Sequence, residues 1–529
     1  MFLNKQVYVF KENFNNAQMQ QTIDEVYERL ENGQFSRDRA LFIFYPGTYD
    51  LEVKVGFYTE VIGLGELPSD VKIRKISSYA RWMKNNNATC NFWRAVSNVS
   101  TTSDMLWAVS QATSLRRIEV FGDLYLNEEK GWSSGGFLAN SLVHGNIYSG
   151  TQQQWLTRNT SFNSWIGQNW NMVFVGCSNA PLGEWPKDKY TKVELTEKVK
   201  EKPYLIYKDE IYVRVPKTKY NTVNHNFMDE YVDIPLSDFY IVSYNDSAKT
   251  INEKLKEKKN ILFLPGIYQL EESLILDSGM ILGLGYPTLE NTSDNHESTI
   301  IVNGDETIVS GILIEANDQD NMVKVLGNDV LLCDLYARIG GAYDKITRAL
   351  KVVIINGNNL IGDHFWLWRA DHSFGVGWNV NKSKNGIIVN GNDAIFFALM
   401  VEHFEEYQAI FNGENIKVFM YQSESPYDCL DQKDFMSHNG LKNGYSSYKV
   451  ADHVKKHEGY GIGFYSVLFR TPIDIASGVE APCVKGVYLK NIITVELGSL
   501  KGISNVINDL SIKDSENRIK YYLEFGEKE

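Results

Sequence analysis

Short apolar stretches broken by glycine, asparagine and charged turns run the length of the chain, and in its second half they fall on a repeat. A glycine flanked by Asn or Leu recurs at Gly304, Gly327, Gly357, Gly391 and Gly413, each ahead of a short strand-like run. The intervals of 23, 30, 34 and 22 residues suit the coils of a β-solenoid, in which two or three short strands and their turns repeat and longer insertions bulge out as loops. A TIM barrel would need amphipathic helices between the strands, and these segments are too short and too rich in Asn and Gly. Eight residues after each glycine stand Ile312, Leu335, Phe365, Leu399 and Tyr421, and ten after stand Ile314, Ala337, Leu367, Val401 and Ser423. Eleven after stand Glu315, Arg338, Trp368, Glu402 and Glu424. Successive strand residues alternate faces. The first two columns are therefore predicted inside and the eleventh outside, because charges stacked in an apolar interior are costly without partners.

A larger repeat encloses the smaller one. Thr22-Ile23-Asp24-Glu25 opens a helical segment that leads to LFIFYPGTYDL and VIGLGELP, and Thr250-Ile251-Asn252-Glu253 opens another that leads to ILFLPGIYQL and ILGLGYPT. Pro46 and Pro265 head PGTY and PGIY at an offset of 219 residues, and Gly63 and Gly283 head the two GLG turns at 220. The chain is thus predicted to be all-β, a duplication of two right-handed parallel β-helices in tandem, solenoids of the pectate-lyase-like kind. Residues 1–182 form the first helix and 236–529 the second, which carries the candidate acids. Residues 183–235, rich in Lys, Glu, Tyr and Pro, read as a linker with a short strand pair around LIYKDEIYVRV.

Composition narrows the partners. A length of 529 residues suits two or three domains, and 40 Gly against 12 Pro suit many sharp turns. The net charge of −13 argues against nucleic acid or an anionic membrane surface, both of which need a basic footprint, and leaves a neutral polymer open. Five cysteines stand singly, with no CxxC spacing, so neither a disulfide framework nor a zinc site is expected. Asp363-His364 and Asp371-His372 are two acid–histidine pairs without a third, too few to predict a metal, and no cofactor is expected. No apolar run is long enough to span a membrane. The opening MFLNKQVYVFKENF lacks the basic, apolar and small-residue succession of a secretory leader.

The candidate chemistry lies on the outward column. Glu402 and Glu424 fall on neighbouring coils, spaced by about 4.7–4.9 Å, and like charges that close raise one pKa and keep an acid protonated near neutral pH. Trp366, Trp368 and Tyr336 share that face. A flat ring beside paired acids suits a pyranose, which has an apolar face and hydroxyl edges. Asp371, His372, His403 and Tyr427 lie close in sequence as further sugar contacts. In the first half WAVSQATSLRR (Trp107 onward), SSGGFLANS (Ser133 onward) and GTQQQWLTRNTSF (Gly150 onward) alternate apolar residues with Gln, Ser and Asn. Gln153 and Gln154 there either meet water and sugar hydroxyls or belong to an amide ladder that only steadies the coils.

At these residues the chain resembles glycoside hydrolase family 55, the two-β-helix β-1,3-glucanases. The likeness runs through QATSL at Gln111, SGGF at Ser134, QQ-W-TRN-SF at Gln153 and the glutamates Glu402 and Glu424. It is similar, more closely still, to bacterial secreted proteins often labelled adenylyl cyclase or coagulation factor 5/8 type, through WRADHxxGVGW, VEHxxxY, NGEN, Q-E-PYD and YKVADxVxxHE. No nucleotide loop or metal-binding aspartate pair supports a cyclase. The resemblance implies an inverting, exo-acting hydrolase of a neutral glucan, β-1,3-linked, secreted or released from its cell. It implies Glu424 as the general acid, Glu402 as the assisting acid one coil earlier, and Gln111 and Ser134 as the pair that holds the attacking water. The competing expectation is a glycan-binding or structural solenoid, spore- or crystal-associated, that kept the fold without the activity.

Overall fold

The structure, a computed structural model, describes residues 4–342, 345–468, 470–498, 500–513 and 518–528. The first three residues of the opening MFLNKQVYVFKENF, which reads as lacking a secretory leader, lie outside them. The chain folds as two parallel β-helices. The first runs from the strand Val7–Phe10 to Tyr190–Val193, which pairs in parallel with Asn171–Val175. Its sheet therefore continues beyond residue 182. In the second, one ladder runs from Phe239–Ile241 to Val487–Glu496 and is closed by the antiparallel strand Ile519–Gly526, and another runs from Leu274–Leu276 to Ile503–Ile507. Among the described residues no helix is long and apolar enough to cross a membrane.

The duplication reappears as matching local structure. Helix α1 (Asn16–Leu30) is capped by the Asn15 side chain, which accepts the Gln18 amide at 3.1 Å, and α2 (Ala248–Lys256) by Ser247, which accepts the Thr250 amide at 3.1 Å. Such caps satisfy amides that the first helical turn cannot. Thr22 lies inside α1 rather than at its start, because Asn15 supplies the capping oxygen earlier in the chain. Each helix lays an apolar face, Ile23 and Leu30 or Ile251 and Leu255, on the core of its own solenoid. In PGTY the Tyr49 hydroxyl donates to the Tyr45 carbonyl at 2.7 Å, and in PGIY Tyr268 donates to Leu264 at 2.9 Å.

Inside the second helix the predicted columns stack. Ile312, Leu335, Phe365, Leu399 and Tyr421 are register partners on successive coils, and they share one buried core with Ile314, Ala337, Leu367 and Val401. The repeated glycine has a steric cause. A Cβ on Gly327, Gly357, Gly391 or Gly413 would land on the carbonyl oxygen of the glycine one coil earlier. Turn stacks directly on turn with no room for a side chain. Each strand also carries one residue of positive φ just before the inner column, namely Gly311, Asp334, His364, Ala398 and Met420, so the inside–outside alternation restarts at that kink.

The outward column does not face solvent. Glu315, Arg338, Trp368 and Glu402 are buried because the second helix lays this face against the first. Tyr336, Trp366, Trp368 and Phe397 pack there against Phe57, Tyr58, Phe92, Trp93 and Phe137. Charges pair across the same seam. Arg116 meets Asp334 at 2.8 Å and Asp363 at 2.7 Å, and Arg158 meets Asp363 at 3.0 Å and Glu201 at 2.8 Å. His364 contacts Asp334 at 2.7 Å, so the Asp363-His364 pair is occupied in joining the helices. The connecting segment takes part, with Lys202 at 3.0 Å from Asp334. It then forms an antiparallel sheet of Tyr204–Tyr207, Ile211–Pro216 and Tyr231–Pro235.

Candidate active site

Three adjacent strands of the second helix, Ile361–Arg369, Ile395–Glu402 and Ile416–Glu424, end at one rim of the seam. Their register pairs Trp366 with Met400 and Gln422, and Trp368 with Glu402. Beyond Glu402 the chain turns through His403 at φ 69°, and the His403 amide donates to the Glu424 carbonyl at 2.9 Å. The two glutamates are thereby held on neighbouring coils, as the column predicted.

Their surroundings differ. Glu402 is 2% exposed. One carboxyl oxygen accepts the Trp366 indole N–H at 2.7 Å, and the other accepts the Gln111 amide from the first helix at 2.9 Å. Burial pushes its pKa up to about 8 and the charge of Asp371 adds to this, while the two N–H donors pull the other way. Glu424 is half-buried at the cleft edge, where the Tyr427 hydroxyl donates to it and His403 Nε2 stands 4.0 Å away. Burial and then the charges of Glu402 and Asp371 hold its carboxyl well above the usual range. Asp371 is the opposite case. Burial would raise it, but His403 at 3.8 Å and the His372 hydrogen bond at 3.0 Å outweigh burial and keep it at about 2. The cleft thus holds two carboxyls that retain protons and one that does not, the separation that divides acid and base roles. Burial also pushes His403 down, against the opposing charge of Asp371.

The first helix supplies the facing wall. Ser110 Oγ lies against Gln111 Oε1, which orients that amide toward Glu402, and is 2.5 Å from the Ser134 carbonyl. Ser134 Oγ accepts from Gln422 at 3.3 Å, leaving its own hydroxyl proton to donate. The SGG turn is required sterically. Gly135 sits at φ 87°, and a Cβ there would meet Gln422 Oε1 at 2.6 Å, while one on Gly136 would strike the Trp155 ring.

The expected sugar contacts divide. Asp371, His372 and Tyr427 are half-buried around the acids, and His403 packs on Tyr427 at 4.4 Å; Gln153 is half-buried too, its backbone amide donating to the Ser133 carbonyl at 2.9 Å. Trp366 and Trp368 are each 1% exposed, not the open platform the sequence suggested. Phe92 and Trp93 cover Trp366 at 4.5 and 5.4 Å, and Phe35 and Phe92 flank Trp368 at 6.3 and 5.7 Å. These indoles form a packed wall, with the Trp366 N–H spent on Glu402. Gln154 is also corrected. It is fully buried, donating to the Tyr421 carbonyl at 2.8 Å and accepting the Tyr465 hydroxyl at 2.5 Å, which fastens helix to helix. Residues missed from sequence come from loops of the first helix. Gln34 reaches His372 at 2.6 Å. Burial, Asp371 and Glu424 push the Cys90 thiol up to about 12, and Asn91 anchors the same loop through Trp82 at 2.5 Å. Among the described residues no group of three or more His, Cys, Asp or Glu is placed to hold a metal ion.

Two parallel β-helices clasping a cleft of proton-retaining carboxyls define a carbohydrate-active protein of the pectate-lyase-like class. The family profile described as the LAM55 pectate lyase-like domain matches residues 239–424. The chain is 37% identical over 517 residues to the exo-beta-1,3-glucanase of Streptomyces sp. (strain SirexAA-E / ActE), covering 93% of this chain and 84% of that protein. It is also similar to the solved structure of sacteLam55A from Streptomyces sp. SirexAA-E, with a TM-score of 0.94 at 35% identity over 99% of this chain and 98% of that one. The same values hold for a glutamate-to-alanine variant of that enzyme in complex with glucose. The chain belongs to glycoside hydrolase family 55.

Proposed function

We propose that this hydrolase releases sugar from the end of a β-1,3-linked glucan with inversion at the anomeric carbon. Glu424 gives its proton to the departing glycosidic oxygen. Gln111 and Ser134 hold the water that attacks from the opposite face, and that water passes its proton to a carboxylate of the cleft. The observation that carries this reading is the contrast between Glu402, accepting N–H bonds on both oxygens, and Glu424, open to the cleft and kept protonated beside it. Strands of stacked coils are spaced by about 5 Å, the separation expected for side chains that share a face of adjacent coils. That is shorter than the roughly 6.5–9.5 Å an inverting acid–base pair needs to admit water, so Glu402 tunes Glu424 and the water lies toward the first helix. The substrate class follows from the exo-beta-1,3-glucanase relative and from a cleft without a surplus of cations.

Laminarin, curdlan and α-linked glucans tested in parallel should yield sugar from the β-1,3 polymers alone. Proton NMR during the first turnovers should show the α-anomer released first. Release of the β-anomer would remove inversion, and no sugar from laminarin or curdlan would remove the substrate.

A further inference from the structure

The catalytic strands begin at a second concavity. Lys417 is the second residue of the strand Ile416–Glu424, which ends in Glu424, so the two places lie roughly 20 Å apart at about 3.3 Å per residue. Around Lys417 the connecting segment and the last coils of both helices enclose a hollow of about 800 Å³. A neighbouring hollow of about 740 Å³ shares Lys192 and Lys490 with it. Together they make one elongated groove, larger than a small-ligand pocket of roughly 300–1,000 Å³.

Its chemistry selects the occupant. Tyr220, on the connector strand Lys219–Thr222, is 64% exposed over the groove. Half-buried Tyr488 and Trp185 line it further along. The lysines are already matched: Lys417 with Glu197 at 2.6 Å, Lys490 with Glu524 at 3.1 Å, Lys528 with Glu458 at 3.2 Å, and Lys192 with Glu194 at 3.3 Å. Lys198 donates to Asn359 at 2.5 Å. An anionic ligand would have to break these pairs. A neutral polymer need not, and it finds the exposed Tyr220 ring together with the carboxylates of Glu197 and Glu524, which can accept sugar hydroxyls without releasing their lysines.

We propose that this groove is a second glucan-binding site that anchors a remote part of the polymer, or a neighbouring strand of it, while a chain end occupies the catalytic cleft. The inference rests on the glucan reading above. Anchoring raises the local concentration of chain ends without changing chemistry at the cleft, so its effect should grow with polymer length.

The test uses the full chain with Tyr220→Ala and the double variant Tyr220→Ala/Tyr488→Ala. Retention on insoluble curdlan should fall at least about fivefold, and KM for laminarin should rise by about the same factor, while turnover of laminaritriose stays within about twofold of wild type. Unchanged retention on curdlan would overturn the proposal. So would an equal loss on the trisaccharide, which would mean that the rings act through the cleft or the fold. Wild-type protein that leaves laminaritriose intact would defeat the hydrolase reading, and curdlan retention would still report on the groove.

Discussion

Replacing Glu402 by Gln keeps the shape of the side chain and removes its charge. Glu402, at about 8, loses its proton before Glu424, whose pKa is raised further by that new charge. Taking the separation of the two charges as the coil spacing of about 5 Å and an effective dielectric of about 20, the repulsion is 332/(20 × 5), about 3 kcal/mol. That corresponds to roughly two pH units. The sign is fixed by the roles. A negative Glu402 favours neutral Glu424, so its loss lowers the Glu424 pKa. Because Glu424 must be protonated to act, the alkaline limb of the kcat/KM profile on laminaritriose should move down by about two units in Glu402→Gln. The amide also sets a donor against either the Trp366 or the Gln111 N–H, at a cost of about 1–3 kcal/mol in stability, visible as a lower melting temperature. An alkaline limb that stays in place or moves up would refute the coupling of these two side chains.

Ser134→Ala should lower kcat on laminaritriose by about 10–100-fold with little change in KM, as expected if its hydroxyl positions water rather than binding sugar; a change confined to KM would contradict that role. Asp334→Asn should cost about 3–5 kcal/mol in chemical denaturation, because Arg116 and Lys202 stay buried with their shared carboxylate gone. Burial alone would raise Asp334, but Arg116 and Lys202 hold it well below the usual range. Its stabilisation is therefore present above about pH 4 and lost as the pH falls toward the folded value, so acid unfolding should be shallower in the variant than in wild type. Gly391→Ala should lower the denaturation midpoint by the equivalent of about 1–3 kcal/mol or more, since its Cβ meets the Gly357 carbonyl; an unchanged midpoint would show that the coils can part at no cost.

The core of the second helix was legible because burial leaves an alternating mark. Ile312, Leu335, Phe365 and Leu399 recur at one spacing from glycines that must themselves recur. The reason for those glycines is a contact between coils, which a linear reading locates without explaining. What lies outside the column was misread as open, since nothing local to Trp366 or Trp368 records that Phe92 and Trp93 cover them. The same holds for Gln154, whose partners Tyr421 and Tyr465 lie 267 and 311 residues away. In the first helix the periodicity is weaker. Gln111 and Ser134 came from family likeness, and the 2.9 Å contact of Gln111 with Glu402 spans 291 residues. Gln34 and Cys90 sit on aperiodic loops and left no signal at all.

The central claim is that Glu424 protonates the departing oxygen. It is tested most directly by Glu424→Gln on two substrates that differ only in whether the leaving group needs a proton. On laminaritriose kcat should fall by at least about 100-fold, the scale of general acid catalysis. On 2,4-dinitrophenyl β-glucoside, whose leaving group departs without protonation, the fall should be far smaller. Full activity on laminaritriose, or an equal fall on both substrates, would contradict the assignment.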